Sequence, residues 1–280
     1  MKPRLPALEL ELVADVLVRF VRDATSKFGF DRAVVGVSGG IDSSVSAAIA
    51  ARALGPKNVL GLLLPYKTSS PESEKLGRLV CETFALRSEK IDVTPMVDGY
   101  LRAAGLSPDR ARDRVRSGNV MARARMIAIF DHSARERALV IGTSDKTELL
   151  LGYTTWHGDS ASSINPIGDL YKTQVYALAR HLGVPEAVCK RAPTPDFFPG
   201  QTAEGDMGLR YEEVDALLHD LVDRRLHEPE LLERGWRQTL IRSVVERVRA
   251  SQYKRRVPVI AKVSARTVNL DFRYLRDWGR

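Results

Sequence analysis

The segment Gly36 to Ser44, GVSGGIDSS, brings together residues suited to holding a polyphosphate. Gly39 and Gly40 let the backbone turn tightly and approach an anion with no Cβ in the way. Ser43 and Ser44 open a run of small residues to Leu54 that reads as a helix, and the free N–H groups of a helix start attract phosphate. Asp42 adds a carboxylate that would repel a bare phosphate, so the pattern makes sense with Mg²⁺ between the two, a cation that takes carboxylate and phosphate oxygens together. The segment fits neither GxxxxGK[ST] nor GxGxxG.

A loop of this kind needs a strand before it and a helix after it. Ala33–Val37 is a short apolar run that reads as the strand. Further apolar runs follow at 59–64 and, more weakly, 90–93, and another at 138–141; helical stretches at 72–86 and about 110–136 separate them. Alternating strands and helices predict an α/β fold, a doubly wound parallel sheet with helices on both faces. In such sheets ligands bind beyond the carboxyl ends of the strands. The loops after Val37, Leu64 and Ile141 are therefore the ones to watch. Residues 8–28 read as an amphipathic helix through Leu10, Val13, Leu17, Phe20 and Val21, ended by Gly29. The stretch 191–208, rich in proline and glycine, reads as an irregular loop that is either a lid or a plain linker. We expect one domain over 1–280.

Composition narrows the classes. Cys81 and Cys189 are the only cysteines and are far apart, which argues against a zinc or iron–sulfur site. No apolar run approaches the roughly 18 residues that span a bilayer, and the N-terminus lacks the apolar stretch of a secretory signal, so a cytoplasmic protein is expected. The formal charge of +8 lies entirely in residues 223–280, which hold 15 Lys/Arg against 7 Asp/Glu. Such a basic region suits a phosphate-rich small molecule, a solvated face or a subunit contact. No aromatic-interleaved basic motif points to nucleic acid.

The GVSGGIDSS segment matches the SGGxDS signature and resembles the PP-loop ATP pyrophosphatases. GNVMARARM (118–126), IGTSDKTELLLGY (141–153), HGD with INPIGDLYKTQVYALA, RAPTPD and GLRYEEVD resemble the NAD synthetase family in order and spacing, over roughly residues 30–260. The resemblance implies an adenine-nucleotide α-hydrolase-like fold and the ATP-dependent amidation of deamido-NAD by ammonia through an adenylated intermediate, releasing AMP and pyrophosphate. It implies ATP contacts at Gly36, Val37, Ser38, Gly39, Gly40, Ile41, Asp42, Ser43, Thr143, Lys172 and Thr194. Asp42 and Glu148 become magnesium ligands, and Lys172 a cation on the departing pyrophosphate. Arg123, Asp159, Tyr253 and Lys254 become dinucleotide contacts, with Asp159 and Lys172 catalytic. Six have an ordinary alternative: a surface glutamate at Glu148 or arginine at Arg123, a solvated lysine at Lys172, a helix cap at Thr143, a loop hydroxyl at Thr194, a turn aspartate at Asp159.

Three positions depart from the family's ammonia-dependent pattern: Trp156 for a lysine, Ser163 for an aspartate and Tyr253 for a histidine. All belong to the implied dinucleotide site. Trp156 could stack on a pyridine ring or belong to the core. The residues before the first strand are too few to form an amidase, so free ammonia is expected; a separate glutaminase is possible but not indicated. The resemblance also implies a homodimer, with the apolar stripe of the first helix as a candidate contact. Competing readings are a tRNA-modifying PP-loop enzyme and a nucleotide-binding regulator without catalysis.

Overall fold

The computed structural model describes residues 5–268. The last part of the basic region 223–280, residues 269–280, lies outside the described residues. Four parallel strands form the sheet in the order β3-β2-β1-β4: β1 (Ala33–Gly36), β2 (Val59–Leu63), β3 (Arg87–Lys90) and β4 (Leu139–Val140). Ala33 pairs with Val59 on one side and Leu139 on the other, so β1 is central. The chain first builds outward from β1 to β2 and β3, then crosses back to place β4 on the far side. The switch in direction therefore falls between the ends of β1 and β4, where such sheets open a crevice for ligands.

Helices cover both faces. One face carries α1 (Leu10–Lys27), α2 (Ile41–Leu54), α3 (Pro71–Thr83) and α7 (Lys172–Leu182), packed with Ala33, Val35 and Val37 into one core. The other face carries α5 (Arg114–Glu136), whose Ile129 packs on Val34, Leu60 and Leu62. This alternation along β1 is the period of two that a strand imposes. On α2 only small and β-branched residues face inward, and Val45, Ala47, Ala48, Ile49 and Ala50 are completely buried. That composition lets α2 sit flat on the sheet beneath α1 and α7 and holds its N-terminus at the end of β1.

The third strand lies three residues earlier than the apolar run at 90–93 suggests. Arg87, Ser88, Glu89 and Lys90 are polar because β3 is an edge strand; of the apolar pair beyond it, Ile91 packs on Val34 and Leu60 of the sheet while Val93 turns toward α4 (Thr94–Ala103), a helix not marked by the sequence reading. Val93 is fully buried with Val97 and Leu101 of α4 against Met121 of α5.

The remaining helices, α6 (Lys146–Leu151), α8 (Glu186–Lys190), α9 (Ala203–Met207), α10 (Tyr211–Leu218), α11 (Glu228–Glu233) and α12 (Gln238–Ala250), follow β4. Parts of α6 and α9–α12 share a second core built on Leu151, Tyr211, Val214, Leu217, Trp236 and Val244. On α1, Val21 is buried and Leu10, Val13 and Leu17 pack on the sheet core, so that stripe faces its own chain except at Phe20. The outward face instead exposes Leu12, Val16 and Phe20. Among the described residues no helix is long and apolar enough to cross a membrane.

Candidate active site

The turn after β1 is built from its own serines. Ser43 Oγ donates to Gly40 O at 3.0 Å and accepts from Ser38 N at 3.2 Å, and Ser44 Oγ donates to Gly40 O at 2.8 Å. Gly39 has φ +75°, and a Cβ there would stand 2.5 Å from Ser73 O. Only glycine fits that conformation and that approach to α3. The loop leads straight into α2, whose first turn carries Asp42.

A second segment starts beyond β4. Asp145 caps α6, its Oδ1 accepting from Glu148 N at 2.8 Å. A third is the start of α7, where Lys172 is the first helical residue. The three converge. Lys172 Nζ lies 2.6 Å from Asp42 Oδ2, 2.8 Å from Asp145 Oδ2 and 2.9 Å from Glu148 Oε1. Lys172 and Asp145 are fully buried. Lys172 is thus no solvated lysine, and Glu148 no freely exposed glutamate. Asp145 was missed in the sequence, although Asp-Lys-Thr-Glu at 145–148 carries the D-x-x-E signature of a helix start.

Electrostatics tie the group together. Burial alone pushes the Lys172 ammonium toward neutrality, but Asp145, Asp42 and Glu148 together outweigh it and hold its pKa well above the ordinary value. Burial raises Asp42 to about 6 against the opposing pull of Lys172. Glu148 is raised well above the carboxylate range, first by burial and then by its acidic neighbours, Lys172 opposing. One carboxylate oxygen from each acid lies within 4.8 Å of the other two. Asp42 Oδ1 is buried with no hydrogen-bond partner among the described residues. Three hard oxygen donors, one of them unsatisfied, fit Mg²⁺.

A cavity of about 990 Å³ runs from this group along the strand ends. Gly36, Val37, Ser38, Gly40, Ile41, Asp42, Ser43, Thr143, Glu148 and Thr194 line it, whereas Gly39 and Lys172, also expected as nucleotide contacts, do not. Thr194 Oγ1 accepts from Asp196 N at 3.0 Å. Segment 191–208 forms one wall and is fastened across the cavity. Asp196 accepts from Ser70 N at 3.1 Å and Ser73 Oγ at 2.7 Å, and Thr68 donates to Phe197 O at 2.8 Å.

At the other end stand Asp159 and Lys254. Asp159 accepts from Thr155 N at 2.8 Å. Its carboxyl opens on the cavity, yet the surrounding walls desolvate it and raise its pKa, with backbone donors and Lys254 pulling the other way. Lys254 Nζ donates to Gly152 O and Thr154 O, both at 2.7 Å. Desolvation lowers its pKa while Asp159 opposes.

Other expected contacts sit outside the cavity wall. Arg123 donates through Nε and Nη2 to Trp156 O at 3.3 and 3.1 Å. It is Arg125, two residues on, that lines the cavity and reaches Leu64 O and Ser69 Oγ. Tyr253 is exposed and meets Trp156 edge-on at 5.3 Å, and Trp156 stacks on His157 at 4.5 Å. Ser163 lies beside β4, its N donating to Val140 O at 2.9 Å.

The family model for NAD synthase matches residues 13–258. The NH(3)-dependent NAD(+) synthetase of Chlorobium phaeobacteroides is 51% identical over 271 residues, covering 97% of this chain and 96% of that protein. That of Trichlorobacter lovleyi is 50% identical, covering 98% of each. Among solved structures, an NH3-dependent NAD synthetase from Campylobacter jejuni superposes with a TM-score of 0.76 at 31% identity, covering 91% of this chain and all of that one. An NMN synthetase from Francisella tularensis does so at 0.78 and 27% identity, covering 91% and 99%.

Proposed function

The chain belongs to the NAD synthase family, and we propose that it joins ammonia to deamido-NAD at the expense of ATP, making NAD, AMP and pyrophosphate. The observation that carries the reading is the convergence of Lys172 with Asp42, Asp145 and Glu148 at the switch between β1 and β4, at one end of a cavity whose other end holds Asp159 and Lys254.

The nicotinate carboxylate attacks the α phosphorus of ATP, the bond from that phosphorus to the bridging oxygen breaks, and pyrophosphate leaves. Ammonia then attacks the activated acyl carbon, the bond to AMP breaks, and one proton is released. The loop from Gly36 to Ser43 presents backbone N–H groups and the start of α2 to the phosphates. Lys172 carries a fixed positive charge beside the leaving pyrophosphate. Asp42, Asp145 and Glu148 would hold Mg²⁺, which supplies charge neutralisation on the phosphates. Thr143 and Thr194 border the nucleotide. Asp159, its proton affinity raised by its surroundings, takes the proton that the attacking ammonia loses. Of the expected dinucleotide contacts, Asp159 and Lys254 line the cavity, whereas Arg123 and Tyr253 lie off its wall against Trp156. The walls built by 191–208 limit loss of the anhydride to water.

The chain works as one domain, because α6 and α10, packed in the second core, reach the same site as the sheet. A homodimer suits the exposed Leu12, Val16 and Phe20, which repeat every four residues on the outer face of α1. A cytoplasmic setting suits two free, buried cysteines. The deciding experiment is to incubate purified protein with ATP, Mg²⁺, ammonium and deamido-NAD and to measure pyrophosphate and NAD together. Stoichiometric formation of both is expected. Pyrophosphate release that tRNA stimulates and deamido-NAD does not would overturn the reading.

A further inference from the structure

Helix α10 contributes no atom to the cavity wall, yet two of its residues lie directly behind the ion group. Tyr211 and Asp215 are four positions apart and so share one helix face. The Tyr211 ring lies 5.1 Å from Lys172 Nζ. Asp215 is fully buried and forms no ion pair among the described residues; three hydrogen bonds serve it instead. Its Oδ1 accepts from Thr147 Oγ1 at 2.5 Å, and its Oδ2 accepts from Thr173 N and Thr173 Oγ1, both at 2.8 Å. Thr147 Oγ1 in turn accepts from Lys172 N at 3.1 Å.

The partners' places in the chain give this arrangement its meaning. Thr147 stands between the cap Asp145 and Glu148, one residue before the latter. Thr173 directly follows Lys172. A single carboxylate therefore joins the first turn of α6 to the first turn of α7, at the two points where those helices deliver their charged groups. It also meets the free N–H groups at the start of α7, where a negative charge is favoured. A buried carboxylate without a cation is costly unless all its acceptor sites are used. Retaining one here serves geometry: only an acceptor-only group can take all three donors at once.

We infer that Asp215, acting through Thr147 and Thr173, is a positioning residue that sets the distance between Glu148 and Lys172. It touches neither substrate. Its effect is on how well the carboxylates and the ammonium are placed for the triphosphate, since placement errors of about 1 Å can cost 10²-fold in rate. The inference rests on the reaction proposed above.

Thr147→Val keeps the side-chain shape and removes the hydroxyl, leaving Asp215 Oδ1 without its donor and Lys172 N without its acceptor. Three quantities are measured on parent, Thr147→Val, Thr147→Ser and Asp215→Asn: kcat with KM for deamido-NAD, calorimetric affinity for MgATP, and melting temperature. We expect kcat to fall at least tenfold in Thr147→Val and MgATP affinity severalfold, with KM for deamido-NAD within twofold of the parent. Thr147→Ser should return both to within threefold. Asp215→Asn should resemble Thr147→Val, because an amide has one acceptor oxygen and cannot accept from Thr147 and Thr173 together. The inference is overturned if Thr147→Val only lowers the melting temperature while keeping kcat and MgATP affinity within threefold, or if a folded Thr147→Ser fails to restore them. A parent that binds MgATP but does not use deamido-NAD would refute the proposed reaction; loss of MgATP affinity in Thr147→Val and its return in Thr147→Ser would still uphold the positioning role.

Discussion

Lys172 Nζ lies 2.6 Å from Asp42 Oδ2, although the two residues are 130 positions apart in the chain. One comes from the helix after β1, the other from a helix after β4, so the contact closes the crevice at the centre of the sheet. It is also unequal. Lys172 has no exposed surface, whereas Asp42 keeps about a fifth of its side chain accessible, at 18%. The ammonium is a fixture of the protein, and the carboxylate faces the cavity.

Replacing Lys172 with Met should therefore hurt the fold as well as the reaction. Three acidic groups would face one another with their shared cation gone. Breaking a buried ion pair by removing one partner typically destabilises by about 3–5 kcal/mol. Urea unfolding of Lys172→Met in metal-free buffer should show a loss of that order, and added Mg²⁺ should recover more stability in the variant than in the parent. An unchanged unfolding midpoint would contradict the assignment of charge in this group.

The part of this site readable from sequence was the part defined by local backbone need. The Gly39–Gly40 turn between an apolar strand and a small-residue helix announces itself, because few other segments require that order. Asp42 and Glu148 were legible through the motifs around them, and the parallel sheet through the alternation of its runs. The polar edge strand β3 was misplaced, since a strand exposed on one side needs few apolar residues. Asp145 was hidden because a capping aspartate and one that also pairs with a buried lysine look alike until α2 and α7 are brought alongside. Asp215 and the choice between Arg123 and Arg125 depend on which face each helix turns to the cavity, which spacing alone did not settle.

Asp42→Asn and Glu148→Gln should each nearly abolish pyrophosphate release while the protein stays folded. Both side chains are partly accessible to the cavity, at 18% and 17%, and neither packs as core. Loss of activity of 10²-fold or more is expected for removal of a principal electrostatic contact of phosphoryl-type chemistry. Circular dichroism and the melting curve check the fold. Near-parent turnover in both folded variants would defeat the metal-ligand role.

Asp42 also predicts a pH dependence. Its folded pKa is raised from 3.8 to about 6, chiefly by burial. Between those two values the folded state holds more protons than the unfolded one, so this group makes stability fall as pH rises, and above about pH 6 the full cost is present. Asp42→Asn lacks the titration. Its stability relative to the parent should therefore rise from pH 4 to pH 6 and then level off. Metal-free denaturation curves at several pH values measure the difference. A constant difference across the window would refute the raised pKa.

The nitrogen source can be tested with the same purified chain. The NH(3)-dependent relatives from Chlorobium phaeobacteroides and Trichlorobacter lovleyi match it over 96% and 98% of their own length. Ammonium salts should support NAD formation with ATP and deamido-NAD. Glutamine freed of ammonia should give less than about 1% of that rate, since attack on the acyl carbon needs free amine delivered to the Asp159 end of the cavity. Comparable rates with both nitrogen donors would disprove it.

Lys254 and Arg255 are neighbours in the basic C-terminal region, and they should fail in different ways. Arg255 is committed to structure: Nη1 donates to Leu149 O at 3.0 Å and Leu150 O at 2.9 Å, and Nη2 to Val248 O at 2.8 Å, so it joins the carboxyl ends of α6 and α12. Cations at such ends satisfy carbonyls that the helix leaves free. Lys254 also donates to two carbonyls, but it lines the cavity and its charge faces Asp159. Lys254→Ala should lower kcat/KM for deamido-NAD by about 10–100-fold, the scale of one lost charge-assisted contact, while MgATP affinity stays within threefold. Arg255→Ala should chiefly lower the melting temperature. If the basic region served a nucleic acid instead, each lost cation would flatten the salt dependence of RNA binding by about one counterion. The expectation here is that tRNA competes poorly at physiological salt in the parent. Parent-like deamido-NAD kinetics in Lys254→Ala, or submicromolar tRNA binding that blocks turnover, would move the basic surplus from the dinucleotide to RNA.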